Sequence, residues 1–160
     1  MNLTIKDLAS DIALAGVPVE TARHRISSYA RDGLIYGRRE KPNTSPTIYK
    51  PVDAGVAVIL SALQDCGVAD LDLQGDVATT AYHGMERCLS GLARGESWSL
   101  VANVHRCSMG IFRDVRLIRH DQPASRRMPL PMTPRGAIVI VLDEMLSPVV
   151  RRLNPPKGAN

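Results

Sequence analysis

"ETARHRISSYARDGLI", residues 20–35, decides how the N-terminal part of the chain folds. Helical spacing places Ala22, Ile26, Tyr29 and Gly33 along one side of a single helix. Most other positions are polar, and three of the 16 residues are arginines. The stretch therefore predicts a helix with a narrow buried side and a wide polar side, which ends at an Asp-Gly pair.

The residues before this stretch predict a second helix packed against the first. "TIKDLASDIALAG", residues 4–16, opens with Thr4, and Asp7 follows three positions later, as in a capping box. Gly16 is typical of a helix end, and Pro18 is favoured in the first turn of the next helix. The pattern therefore indicates two helices joined by a tight turn.

The residues after it predict a hairpin. "GLIYGR" (33–38) and "TIYKP" (47–51) have the composition of short strands, and the segment between them is rich in Lys, Arg, Asn, Pro and Ser. Two helices followed by a basic hairpin are the elements of a helix-turn-helix with a wing.

This part of the chain resembles the recognition-helix signature of bacterial winged-helix transcriptional regulators. The matching residues are Thr21, Ala22, Arg23, Ile26, Tyr29, Gly33, Leu34 and Ile35. The resemblance covers about the first third of the chain. A helix-turn-helix followed by a wing and a further helix, here "VDAGVAVILSALQDCG" (52–67), is similar to the MerR organisation. The Gly-Leu pair lies about one turn farther from Thr21 than in that family, so the subfamily stays open. The resemblance implies binding to double-stranded DNA.

Charge is concentrated in the same region. Residues 23–50 hold seven basic and two acidic residues, a net charge of +5, whereas the whole chain carries +4. A basic patch of this kind is typical of contact with a phosphate backbone, although charge alone also fits a solvated surface.

Ten residues are predicted to contact DNA. The N-terminal part of a recognition helix reaches base edges in the major groove, which favours Thr21, His24, Arg25 and Ser28. Contacts to phosphates, which set affinity and salt dependence, are expected from Arg23, Arg38, Arg39 and Lys41. Asn43 and Thr44 at the hairpin tip are expected to touch the minor groove or the backbone.

The rest of the chain predicts a second unit and an α+β fold. The expected domains are a winged helix-turn-helix with its following helix (1–67), a polar linker (68–76) and a small α+β domain (77–160) for dimerisation or partner binding. In the last domain we expect a helix from Val77, strands in 98–106 and 110–119, a proline-rich loop over 121–135 and a helix over 147–153. "AIVIVL" (137–142) is apolar on both faces, which predicts the centre of a sheet.

Enzyme, metal and membrane classes are not favoured. "IVIVLDE" (138–144) is similar to a nucleotide-binding strand, but the sequence has no P-loop motif to hold the phosphates. It also lacks the G-x-S-x-G motif that carries the nucleophilic serine of many hydrolases. The spacing of His83, Cys88, His105 and Cys107 does not suit a zinc site. The sequence has no apolar run of membrane-spanning length and no secretory signal pattern. Three widely spaced cysteines are typical of a reducing cytoplasm. No cofactor is expected.

Together these patterns predict a cytoplasmic, sequence-specific DNA-binding regulator that acts as a homodimer on a two-fold symmetric operator. The alternative is a protein-interaction adaptor that uses the winged helix as a docking scaffold, because a fold does not determine a function.

Overall fold

A computed structural model describes residues 1–39, 41, 45–108, 110–121 and 133–155. Its class is α+β, with helices α1 (Ile5–Leu14), α2 (Val19–Arg31), α3 (Pro51–Asp65), α4 (Leu71–Ala93), α5 (Leu142–Met145) and α6 (Ser147–Leu153), and strands β1 (Trp98–Cys107), β2 (Gly110–Arg119) and β3 (Thr133–Val141). The first two helices and the last helix confirm the predicted positions.

Local sequence signals set the ends of the first two helices. The Asp7 amide donates to Thr4 Oγ1, and the Thr4 amide donates to Asp7 Oδ2 at 2.8 Å, which completes the predicted capping box. Gly16 follows α1 with φ +100°, and Gly33 follows α2 with φ +70°. Residues with a side chain rarely adopt this left-handed conformation, so both glycines allow the chain to turn where the helices end.

The segment after α2 is a hairpin with less strand structure than predicted. Arg38 and Ile48 form one antiparallel bridge, and Tyr49 forms another with Leu3 at the start of the chain. The prediction of two short strands at 33–38 and 47–51 was therefore wrong in extent, because this hairpin pairs at single bridges. Tyr49 instead ties its second arm to the residues before α1.

The predicted linker is mostly helix. Asp70 caps α4 by accepting hydrogen bonds from the amides of Asp72 (2.9 Å) and Leu73 (3.1 Å), so the helix begins at Leu71 rather than at Val77. Leu73 and Gln74 are buried in its first turns. The expectation of a polar linker over 68–76 is corrected accordingly.

The sheet has the strand order β2-β1-β3, and both neighbours of β1 run antiparallel to it. Trp98, Leu100 and Ala102 on β1 are buried in the core. The central position expected for 137–142 was wrong, since β3 lies at an edge of the sheet. Most of the proline-rich segment 121–135 lies outside the described residues.

One hydrophobic core joins the helices to the sheet. Buried residues from α1, α2, α3, α4, β1 and the C-terminal helices belong to a single cluster. Arg152 on α6 adds a polar contact to α1 by donating to Asp11 Oδ1 at 2.6 Å and to Asp7 Oδ1 at 2.9 Å. No helix in the described part of the chain is both long and apolar enough to cross a membrane.

Candidate nucleic-acid interface

The exposed side of α2 carries three of the predicted contact residues. Ala22, Ile26 and Tyr29 are buried against the core, as predicted, which turns Thr21, Arg23 and His24 to the solvent. Arg23 Nη1 bonds to Glu20 Oε1 at 2.7 Å, so its charge is partly balanced. Thr21 and His24 are the residues of this group best placed to reach a ligand without breaking an ion pair.

Arg25 faces α3 instead. Its guanidinium donates to Ser61 Oγ at 2.6 Å, to the Ser61 carbonyl at 3.1 Å and to Asp65 Oδ1 at 2.7 Å, and only 19% of the side chain is exposed. The bond to Asp65 raises the pKa of Arg25. These contacts hold α2 against α3, so we leave Arg25 out of the interface.

An Arg25→Ala variant is expected to lose about 1–3 kcal/mol of unfolding free energy, because hydrogen bonds to charged groups contribute that much and the buried Ser61 loses its partner. Arg23→Ala, on the exposed side of the same helix, is expected to cost less than about 0.5 kcal/mol. Urea unfolding of both variants checks this. Equal costs would contradict the assignment of Arg25 to the packing of α2.

Ser28 belongs to a polar cluster at the end of α2. Its hydroxyl donates to Asp32 Oδ2 at 3.0 Å and accepts from Arg31 Nη2 at 3.0 Å. Arg31 and then Ser28 lower the pKa of Asp32, which stays ionised beside them. A base contact by Ser28 would have to compete with these bonds.

The hairpin holds the three remaining predicted cations. Arg38, Arg39 and Lys41 are all exposed, and none of them forms an ion pair with a described residue. Arg39 Nε donates to Thr47 Oγ1 at 3.0 Å, which links the two arms. Asn43 and Thr44 lie outside the described residues.

A groove runs between α2 and the hairpin. Its volume is about 490 Å³, and its lining includes Ser27 and Ala30 on α2 together with Gly37, Arg39 and Thr47 on the hairpin. Ser27, Ala30 and Thr47 were not among the predicted contact residues. The helical wheel placed Ser27 on the polar side, but it could not show that the hairpin lies beside it.

Asp53 fixes the base of the hairpin, although it was not among the predicted site residues. This buried carboxylate accepts hydrogen bonds from the Tyr36 amide (3.2 Å) at the first arm and the Lys50 amide (2.7 Å) at the second. The Tyr82 hydroxyl on α4 donates to it at 2.5 Å. Burial, followed by this bond, raises the pKa of Tyr82. An acid two positions after Pro51 was the available signal, because it matches the third residue of a helix.

The residues with other chemistry do not converge. Cys88 is fully buried, and this burial raises the pKa of its thiol to about 12, so it stays protonated. Within the described ranges, no three His, Cys, Asp or Glu side chains are grouped as a metal site would require.

The chain matches no family model, no curated protein and no solved structure.

Proposed function

We propose that α1, α2 and the hairpin form a winged helix-turn-helix, and that the protein is a sequence-specific DNA-binding transcriptional regulator. The observation that carries the proposal is that the hairpin holds three exposed cations, Arg38, Arg39 and Lys41, without an ion pair to any described residue, and that Arg39 lines the groove between the hairpin and α2. An α-helix fits the major groove of DNA, and flanking cations bind phosphates.

The proposed roles differ along this surface. Thr21 and His24 at the exposed start of α2 reach base edges, and Ser27 lies beside them toward the hairpin. Arg38, Arg39 and Lys41 neutralise phosphates, which sets affinity and salt dependence without reading sequence. Arg23 contributes less, since a phosphate must displace Glu20 from it.

The adaptor alternative uses the same surface for a protein. An acidic partner would also bind the hairpin cations, but its binding would not require an exposed helix beside them. Competition between DNA and such a partner would follow from the shared surface.

The test compares wild type with the Arg38→Ala/Arg39→Ala/Lys41→Ala variant on double-stranded genomic fragments at several salt concentrations. Each phosphate contact contributes about 0.9 to the slope of log affinity against log salt. We therefore expect the slope of the variant to fall by about 3 per bound protomer, together with a loss of affinity on all sequences.

The matched control removes three exposed cations elsewhere, Arg94 directly after α4, Arg106 on β1 and Arg151 on α6. Its net charge equals that of the hairpin variant, so a general charge effect would weaken both proteins equally. Equal slopes for both variants, or no retention of DNA by wild type at low salt, would overturn the proposal.

A further inference from the structure

The strand β3 lies at the edge of the sheet, although its sequence is typical of a strand inside a sheet. Five consecutive apolar residues, Ala137–Val141, form its second half. Such a run is typical of a strand inside a sheet, with both of its faces buried. In the structure β3 pairs with β1 alone, and Val139 and Val141 expose 60% and 53% of their surface.

The opposite edge of the sheet is protected in the usual way. The strand β2 carries Arg113, Arg116 and Arg119, which form ion pairs with acidic residues around them. Charged side chains on an edge strand discourage pairing with another chain. No charge interrupts residues 137–141 of β3, and no described residue pairs with its outer edge.

We infer that β3 pairs antiparallel with β3 of a second copy of this chain, across a two-fold axis. The two sheets then join into one of six strands, in the order β2-β1-β3-β3-β1-β2. This arrangement puts the apolar strand at the centre and leaves the arginine-bearing β2 at both edges. Each copy uses the same edge of β3, and the other edge of β3 already pairs with β1. The association therefore stops at the dimer.

The apolar run also determines the register. Overlap of all five residues of 137–141 with the same five of the second copy requires the axis to pass at Val139. Val139 then lies opposite its own equivalent, and Ala137 lies opposite Val141. Cross-strand pairs of apolar side chains are the unit that stabilises such a sheet.

Charges at the two ends of the strand agree with this register. Arg135 lies four residues before Val139, and Asp143 lies four residues after it. Antiparallel pairing about Val139 therefore brings Arg135 of each copy to the end of β3 of the other copy. There Asp143, which also accepts a hydrogen bond from its own Trp98 amide, and the exposed Glu144 lie in the first turn of α5. Opposite charges at both ends favour this pairing over a parallel one.

The inference is independent of DNA binding, although it supplies the dimer that a two-fold operator requires. The test is analytical ultracentrifugation of the full chain without DNA. We expect wild type to sediment at twice the chain mass of 17.4 kDa. Val139→Asp places two carboxylates face to face at the axis, and we expect the dissociation constant of the dimer to rise at least about 100-fold.

The matched control is Ile111→Asp on β2, a site that is 63% exposed, so the same chemical change is made on the other edge strand. We expect this variant to remain a dimer. Circular dichroism of both variants checks that the monomer fold is retained. A monomeric wild type, or a dimer that Val139→Asp leaves intact, would overturn the inference.

The register has its own test. Directly opposed residues of antiparallel strands have Cα atoms about 4.5–5.5 Å apart, within the range that a disulfide spans. With Cys66 and Cys107 changed to serine, Val139→Cys is expected to form a disulfide-linked dimer on oxidation, whereas Ile111→Cys is not. A crosslink at Ile111→Cys alone would contradict the β3 interface. DNA retention, measured separately, reports on the proposed function and not on this dimer.

Discussion

Replacing Asp53 by alanine is expected to lower the free energy of unfolding by about 2–4 kcal/mol. The change leaves the half-buried Tyr82 hydroxyl without its acceptor, and it removes the acceptor of the Lys50 amide and one of the two acceptors of the Tyr36 amide. A donor left without a partner in the interior costs about 1–3 kcal/mol, and the amides of the exposed residues Tyr36 and Lys50 can be compensated in part by water. Urea unfolding followed by circular dichroism measures the loss.

The matched control for this variant is Asp76→Ala, which removes an exposed carboxylate from α4. We expect it to change the unfolding free energy by less than about 0.5 kcal/mol. Asp53→Asn keeps one acceptor oxygen but turns an amide group toward a backbone donor. Its loss of unfolding free energy should therefore lie between those of Asp53→Ala and Asp76→Ala. If alanine and asparagine variants are both as stable as wild type, Asp53 does not hold the hairpin.

The same variant separates folding from the proposed function. Asp53 contacts both arms of the hairpin, but it is buried and does not line the groove. Under conditions where Asp53→Ala is still folded, we expect weaker DNA binding with an unchanged salt slope, because Arg38, Arg39 and Lys41 remain in place. The triple hairpin variant should instead change the slope.

Local signals in the sequence were sufficient for the first two helices. Thr4 with Asp7 and the glycines at 16 and 33 act within a few residues, so they predict helix ends without knowledge of the rest of the fold. The burial of Ala22, Ile26 and Tyr29 is confirmed for the same reason, since a helix places them on one side.

Features that depend on distant parts of the chain were not predictable. Arg25 lies on the flank of α2, and the helical wheel does not show that α3 packs on that flank with Ser61 and Asp65. The apolar run over 137–142 predicted a strand at the centre of a sheet, but strand order depends on pairings between residues far apart in sequence, and β3 lies at an edge. The start of α4 at the Asp70 cap was not predicted, because several residues in its first turns are polar, as in a linker.

The largest loss of stability is expected from Arg152→Met, about 3–5 kcal/mol at neutral pH. Asp11 on α1 is fully buried, and Arg152 on α6 is its partner at 2.6 Å. Without the guanidinium, a buried carboxylate remains with no opposing charge, which is far more costly than the loss of an exposed ion pair. For a chain of this size the loss corresponds to a fall in Tm of about 10 °C.

Two controls test whether charge is the cause. Arg151→Met changes the neighbouring residue of α6, which is exposed and bonds to Ser147, so it should cost less than about 0.5 kcal/mol. Asp11→Asn combined with Arg152→Met leaves no buried charge and should recover most of the stability. Failure of the double variant to recover would mean that lost packing explains the effect.

The difference in unfolding free energy between wild type and Arg152→Met is expected to shrink as the pH falls from 7 toward 4. Burial raises the pKa of Asp11, and Arg152 opposes that rise, so the variant has the higher native pKa and gains more stability from protonation of Asp11. Hydrogen bonds from Thr4, with a smaller contribution from Arg152, lower the pKa of Asp7. The stability that results from the lowered pKa of Asp7 is present at neutral pH and is lost on acidification. Because Arg152 adds to this lowering in wild type, wild type loses more stability through Asp7 than the variant does. Unfolding free energies of both proteins at pH 7 and 4.5 measure the change, and a constant or growing difference would contradict an uncompensated Asp11 charge.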